Sequence, residues 1–343
     1  MTRLRVVIAT PLAADLVELI ARDERLEVVW EPELLNDPEI DWMVGPKQRT
    51  PEEQARYEAL LDSADVLFGV PDQSGRALGR TVAANPGLQW VHTIPAGGGQ
   101  QVRAARLAEA DLERIVFTTS AGVHATPLAE FAVFGVLAGA KRLPWLLGMQ
   151  RDKKWGPREP LHSLAETTVL VVGLGAIGRL TASKLTALGC RVVGVHRREV
   201  EADVERIVPV ERFAEAASEA DAIVLALPGT EATRGMLSAE VLASVKPGAT
   251  VVNVGRGTTV DEPALIEALQ DGRVGLAVLD VTAVEPLPEE SPLWELPNVV
   301  LAPHTAAISP HEPRLIAELF AENARRFLDG EPLLNVVNTR EFY

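Results

Sequence analysis

Three residues of complementary chemistry stand just past three apolar runs in the last third of the chain. Arg256 lies in Val252-Asn253-Val254-Gly255-Arg256-Gly257, Glu285 in Leu279-Asp280-Val281-Thr282-Ala283-Val284-Glu285-Pro286, and His304 in Leu301-Ala302-Pro303-His304-Thr305-Ala306. If these runs are neighbouring strands of one parallel sheet, all three side chains gather at its C-terminal edge, where open α/β sheets bind ligands. A carboxylate beside an imidazole orients the ring and suits acid–base work near neutrality. A guanidinium at Arg256 either holds a carboxylate or carbonyl oxygen with two donors or ties its own loop to a neighbouring acid. The motif alone leaves both roles open.

A second constellation lies upstream, in Val171-Val172-Gly173-Leu174-Gly175-Ala176-Ile177-Gly178. This G-x-G-x-x-G follows a strand-like run and opens a helical segment, the context that gives the motif meaning. Gly173 permits the tight turn, Gly175 lets backbone approach a pyrophosphate, and Gly178 lets the helix pack closely on the strand. The N–H groups at Ala176 and Ile177 open the helix and attract phosphate charge. The next strand, Arg191–Val195, ends in His196-Arg197-Arg198, with no carboxylate until Glu199. An acid at that tip accepts the ribose hydroxyls of NAD, whereas guanidiniums pair with the 2′-phosphate of NADP. The tip predicts NADP(H) preference with NAD(H) possible; the alternative is a solvated arginine pair on a domain that uses NAD.

These residues need rigid elements beneath them, and the chain supplies two alternating series. Short β-branched runs at 6–8, 26–30, 66–70, 90–94 and 115–118 are separated by segments of helical period, as in βαβ units. A helix is expected from Thr126 at the cap, with Pro127 at its first position and Glu130 in its first turn, continuing through Leu143. After a polar, basic stretch from Arg151 to Pro160, a second series runs through 168–172, 191–195, 222–226, 250–254, 275–281 and 298–302. Those runs are apolar on both faces, like buried parallel strands. An amphipathic helix from Pro313 to Leu328 closes the chain and must pack on one of the two domains.

Composition agrees with this picture and excludes others. The 343 residues correspond to about two domains at roughly 100–200 residues each. Apolar residues at 47% and charged residues at 24% are ordinary globular usage, against disordered or fibrous classes. A net charge of −15 repels nucleic-acid backbones and anionic membranes, so neither partner is expected. The start, MTRLRVVIATPLAADLVELI, lacks the long apolar core of a signal peptide, and a cytoplasmic protein is expected. One cysteine, Cys190, forms no internal disulfide and reads as a small core residue. Six histidines without Cys partners or H-E-x-x-H spacing give no metal site. Packed or solvated roles are expected for His92, His124, His162 and His311.

From about Leu88 to His304 the sequence resembles the D-isomer-specific 2-hydroxyacid dehydrogenases, a family that includes glyoxylate/hydroxypyruvate reductases. The resemblance runs through Ser120-Ala121-Gly122-Val123-His124-Ala125-Thr126-Pro127-Leu128-Ala129-Glu130, the nucleotide loop, Leu227-Pro228-Gly229-Thr230, Asn253 to Asp261, and the Glu285 and His304 motifs. The first 87 residues match only in strand pattern. The resemblance implies two Rossmann-like α/β domains: a flavodoxin-like substrate-binding domain of residues 1–120 plus 308–343, and an inserted, doubly wound NAD(P)-binding domain of residues 121–307. It implies that Arg256 binds the substrate's carboxylate and keto oxygen, that His304 protonates that oxygen, and that Glu285 supports His304. Asp280 would contact the nicotinamide carboxamide. Leu227, Pro228, Val254 and Gly255 would line the cofactor beside the glycine loop, and Ala96, Gly97 and Gly98 would bind substrate. A homodimer built partly on the Pro127–Leu143 helix is implied as well.

The leading expectation is therefore NADPH-dependent reduction of a small 2-keto acid, glyoxylate or hydroxypyruvate-like, to a D-2-hydroxy acid. The alternatives are an NAD-linked dehydrogenase of lactate-like, branched, aromatic or phosphoglycerate substrates, and a dinucleotide-sensing corepressor-like binding protein. Glutamate at Glu285 argues against the related formate dehydrogenases, which carry glutamine there. The short C-terminus is expected to leave no room for the regulatory domain of long phosphoglycerate dehydrogenases. One departure concerns Ala96-Gly97-Gly98-Gly99-Gln100, where relatives carry a glycine, an apolar residue and an acid or amide. The N–H groups of Gly97 and Gly98 can still cradle a carboxylate, while the missing side chains at Gly98 and Gly99 are expected to widen the substrate pocket.

Overall fold

A computed structural model describes residues 3–37 and 45–342. The chain divides into two compact units, Met1–His124 with Ser309–Tyr343, and Ala125–Ile308. In the first unit, β1 (Leu4–Ile8), β2 (Leu26–Val29), β3 (Val66–Phe68), β4 (Trp90–Thr93) and β5 (Val116–Thr119) form a parallel sheet in the order β2-β1-β3-β4-β5. That is the flavodoxin-like strand order, reversing between β1 and β3. Val6, Leu67, Trp90 and Val91 are wholly buried, the burial on both faces that central parallel strands require.

The helix Glu312–Asp329 packs on this sheet, with Phe320 stacked on Trp90 at 4.8 Å and edge-on to Phe68 at 5.0 Å. Its amphipathic face is therefore buried, which a lone helix needs to be stable. Beyond it the chain runs antiparallel to β5, where Thr119 N–H donates to the Asn335 carbonyl and Val337 N–H to that of Phe117. This covers an edge otherwise open to pairing with another chain.

In the second unit, β6 (Thr168–Val172), β7 (Arg191–Val195), β8 (Arg206–Val208), β9 (Ala222–Leu225), β10 (Ala249–Asn253), β11 (Val274–Leu279) and β12 (Val299–Leu301) form a parallel sheet in the order β12-β11-β10-β9-β6-β7-β8. The order reverses between β6 and β9, the switch point of a doubly wound sheet. The edge strand β8 carries no signal of its own in the sequence, being three residues long and beginning with an exposed arginine.

The expected helix from Thr126 through Leu143 differs in the structure. It begins at Ala125 and ends at Ala140, and a separate helix spans Leu143–Arg151. Pro144 explains the break, because a proline in a continuous helix loses the hydrogen bond to residue 140 and collides with its carbonyl. Arg142 turns the chain there with a left-handed φ of 51°. The first helix lies against the sheet: a Cβ on Gly135 would sit 2.6 Å from Val252, and one on Gly139 would sit 1.9 Å from Thr250 Oγ1. Among the described residues no single helix is long and apolar enough to cross a membrane.

Candidate active site

All strands of the second sheet point the same way, so every loop after a strand emerges on one edge. Along that edge stand, in order, the loops carrying His304, Asp280 with Glu285, Arg256, Leu227, Gly173 and His196. Gly173 follows β6 with a φ of +95°, and a Cβ there would lie 2.7 Å from the Ala226 carbonyl beyond β9. The two loops at the switch point therefore touch, which only glycine allows at this angle. A Cβ on Gly178 would lie 1.8 Å from the Gly173 carbonyl, so the helix Ala176–Ala187 sits tight against the turn. Gly175 faces the opposite situation, with nothing within 4 Å of a Cβ. Open backbone and the first N–H groups of a helix, at Ala176 and Ile177, make a cradle that fits a pyrophosphate.

At the tip of β7, Arg197 and Arg198 are exposed and His196 is half-buried. His196 Nδ1 lies 2.9 Å from the Arg198 carbonyl oxygen and 3.2 Å from its N–H, so the ring closes the turn in either tautomer. Glu199, the next carboxylate, is exposed as well.

The chemistry-bearing end lies across β10, β11 and β12. Asn253, 1% exposed at the end of β10, accepts the Gly255 N–H at 3.0 Å and donates to the Arg256 carbonyl at 3.1 Å. Thr259 Oγ1 donates to the same carbonyl at 2.6 Å. The Arg256 side chain is exposed and donates to the Gly255 carbonyl at 2.7 Å, with no ion pair to an acid among the described residues. Of the two roles open for it, tying the loop to an acid therefore finds no partner. Val254 is buried, and a Cβ on Gly255 would lie 2.5 Å from the Leu227 carbonyl, drawing the Leu227-Pro228 segment against this loop. A Cβ on Gly257 would lie 1.9 Å from the Thr282 carbonyl, which fixes the Arg256 loop against the loop that carries Glu285.

Asp280 directly follows β11 and is 2% exposed. Its Oδ1 accepts the N–H groups of Thr305 at 2.9 Å and Ala306 at 2.8 Å, and its carbonyl accepts that of His304 at 2.9 Å. Burial pushes its carboxyl above the usual carboxylate range, against the opposing effect of the Ala306 N–H. His304 has a left-handed φ of 53°, unusual for a non-glycine residue, and these three bonds hold it there. Glu285 accepts the Thr282 N–H through Oε1 at 3.1 Å, and its Oε2 lies 2.7 Å from His304 Nδ1. With Nδ1 so engaged, Nε2 is the nitrogen left to exchange a proton with a ligand. Asn253 and Glu262 support this site without having been expected to. The Asn253 signal is a polar residue inside an otherwise apolar run; Glu262, whose Oε2 accepts the Ala283 N–H at 2.8 Å, has no local signal.

In the first unit, Ala96, Gly97 and Gly98 follow β4 and lead into the short helix Gly99–Ala104. The pocket-widening expectation is corrected at Gly98. A Cβ there would lie 1.7 Å from Thr93 Oγ1, so a buried threonine already occupies the space. The Gly98 N–H is also spent, donating to the Pro95 carbonyl at 3.1 Å, and it is not available to cradle a carboxylate.

A doubly wound sheet with this glycine cradle at its switch point, and an imidazole–carboxylate pair with an arginine farther along the same edge, has the build of a nicotinamide-dinucleotide dehydrogenase. Residues 133–306 match the family model described as D-isomer specific 2-hydroxyacid dehydrogenase, NAD binding domain. The chain is 37% identical over 240 residues to a glyoxylate reductase of Korarchaeum cryptofilum, covering 67% of this chain and 71% of that one. A glyoxylate/hydroxypyruvate reductase A of Serratia proteamaculans is 28% identical over 303 residues, or 87% and 94% of the two chains. Among solved structures, a D-isomer specific 2-hydroxyacid dehydrogenase from Xanthobacter autotrophicus Py2, in complex with NADPH and MES, superposes with a TM-score of 0.77. It is 30% identical, with 98% and 100% of the chains covered. The chain belongs to the D-isomer specific 2-hydroxyacid dehydrogenases, NAD(P)-dependent oxidoreductases acting on the CH–OH group of their donors.

Proposed function

We propose that the protein uses NADPH to reduce a small 2-keto acid, of the glyoxylate or hydroxypyruvate type, to the D-2-hydroxy acid. The observation that carries this reading is the His304–Glu285 pair at 2.7 Å, on the same sheet edge as Arg256. Arg256 would hold the substrate's carboxylate and keto oxygen with its guanidinium, polarising the carbonyl. His304 would deliver a proton from Nε2 to the keto oxygen while Glu285 holds Nδ1 and balances the imidazolium charge. The dihydronicotinamide, when bound, supplies the hydride that reaches the 2-keto carbon. Asp280 would meet the nicotinamide carboxamide with the oxygen that Thr305 and Ala306 leave free. In the first unit, a role in anion binding falls to Ala96 and Gly97, since the N–H of Gly98 is already bonded.

The preference for NADPH is supported by the exposed Arg197 and Arg198 and by the NADPH named in the complex of the Xanthobacter relative. The substrate class is supported by the two reductases to which the chain is similar. A homodimer is supported by the apolar side chains exposed on and after the helix Ala125–Ala140, namely Phe134, Leu147 and Trp155. The test is the loss of reduced-nicotinamide absorbance with glyoxylate, hydroxypyruvate, pyruvate and phenylpyruvate, each with NADPH and with NADH. Turnover is expected with NADPH on the two small acids, and His304→Asn should lose nearly all of it while still binding the dinucleotide. Replacing Arg197 and Arg198 by alanine should weaken NADPH far more than NADH. Equal weakening would make those arginines surface charge, and unchanged turnover in His304→Asn would remove it as the proton donor.

A further inference from the structure

The loop that carries Glu285 is held by a second carboxylate that the proposed mechanism does not use. Glu262 is the first residue of the helix Glu262–Gln270, and its Oε2 accepts the Ala283 N–H at 2.8 Å. The helix does not need this carboxylate as a cap, because Asp261 accepts the Ala264 N–H at 3.2 Å and Pro263 has no N–H to satisfy. Ala283 lies inside the turn that shapes Glu285: Thr282 N–H donates to Glu285 Oε1 at 3.1 Å, and Thr282 Oγ1 donates to the Val284 carbonyl at 2.8 Å. The helix behind Glu262 is anchored in the core by Leu265, Ala268 and Leu269. Glu262 thus ties an exposed, proline-bearing turn to a rigid element.

We propose that Glu262 is a positioning residue for proton transfer. It sets the placement of the 282–285 turn, hence of Glu285, and through the 2.7 Å contact the orientation of the His304 ring. A carboxylate accepting a backbone N–H makes a charge-assisted bond, roughly twice as strong as a neutral one. Removing it takes away the hold of the helix on the turn and leaves the packing of Gly257 on Thr282 and the contact of Glu285 with His304 to place it. Misplacing a reacting group by about 1 Å costs about a hundredfold in rate, so a partial loosening should cost about tenfold. The proposal rests on the reading of His304 as the proton donor.

The test compares Glu262→Met, Glu262→Asp, Glu262→Gln and Asp261→Ala in the full chain, reading kcat and KM for keto-acid reduction, NADPH affinity, solvent deuterium isotope effect and melting temperature. Glu262→Met should lower kcat about tenfold, leave NADPH affinity within about twofold, and raise the solvent isotope effect as proton transfer becomes slower. Glu262→Gln keeps an acceptor oxygen and should recover most of the rate. Glu262→Asp, one methylene too short, should show the same defect as methionine in milder form, and it serves if methionine prevents folding. Asp261→Ala removes the cap, so it should lower the melting temperature without changing kcat. A folded Glu262→Met with kcat within twofold of the parent, or a loss shared by Asp261→Ala with no change in isotope effect, overturns the proposal. Absence of turnover in the parent on every 2-keto acid would instead overturn the reading of His304 on which it stands.

Discussion

Gly257→Ala adds one methyl group at the place where the Arg256 loop meets the Glu285 loop. The added carbon would lie 1.9 Å from both the carbonyl carbon and oxygen of Thr282 and 2.5 Å from Ala283 N. Ordinary carbon contacts are about 3.5–4.0 Å, so the two loops must part by roughly 1.5 Å or more. The obstruction is backbone, which cannot rotate aside as a side chain would. Gly257 does not have a positive φ, so alanine brings no backbone strain and the effect isolates the separation of the loops. If Arg256 holds the substrate while Glu285 and His304 handle its proton, a shift of this size should lower kcat/KM at least about a hundredfold, or about 2.7 kcal/mol of transition-state stabilisation. The NADPH dissociation constant should rise far less than kcat/KM falls, because the pyrophosphate cradle is anchored on β6, separated from β10 by β9, and only the nicotinamide-side contacts proposed for Val254, Gly255 and Asp280 adjoin the parted loops. Steady-state reduction of the best keto acid, with NADPH binding measured by fluorescence, separates the two effects. A folded variant with kcat/KM within threefold of the parent would refute the idea that these loops must stay in contact for the chemistry.

Gly175→Ala offers the converse case, since nothing lies within 4 Å of its Cβ. The variant should fold and melt like the parent while binding either dinucleotide at least about tenfold more weakly, because the methyl group stands where the pyrophosphate approaches; unchanged affinity by titration would remove Gly175 from the cradle. His92 predicts acid sensitivity of the fold. It is fully buried, with Nδ1 2.9 Å from Thr118 Oγ1 and Nε2 3.2 Å from Ser120 Oγ, and burial pushes its pKa down to about 3 from 6.5. The unfolded chain takes up this proton first, so the stabilisation is complete above about pH 6.5 and is lost as the pH falls toward 3. Its share should amount to about 2 kcal/mol between roughly pH 7.5 and pH 5. Urea unfolding at the two pH values should show that His92→Gln, although less stable at the higher pH, loses less on acidification; equal losses would show that His92 does not titrate on unfolding.

Much of the architecture was already legible along the chain because its signals are local. Apolar runs of β-branched residues alternating with helical periods specify a parallel sheet, and a glycine fingerprint between strand and helix specifies what the switch point holds. Arg256, Glu285 and His304 could be nominated for the same reason: each sits three to six residues past a strand, and parallel strands deliver such residues to one edge. Local patterning also misjudged where it had to extrapolate. The helix expected to run through Leu143 stops at Ala140 because Pro144 acts backward on the preceding turn, and β8 is held by its neighbour β7 rather than by its own residues.

What only the tertiary structure decided are the contacts that no residue pattern signals, whether within a loop or between segments far apart in sequence. No pattern near position 98 reveals that Thr93 fills the space a side chain would take, or that the Gly98 N–H is already bonded to Pro95. Asp280 reads as a strand-end acid until its oxygen is seen to hold the turn at Thr305 and Ala306 that presents His304 in a left-handed conformation. Glu262 reads as an ordinary first-turn glutamate until Ala283, 21 residues away, is found donating to it. Residue type and spacing settle which groups reach the edge of a sheet. Hydrogen bonds and close packing between loops, which depend on where remote backbone atoms come to rest, settle how those groups are aimed.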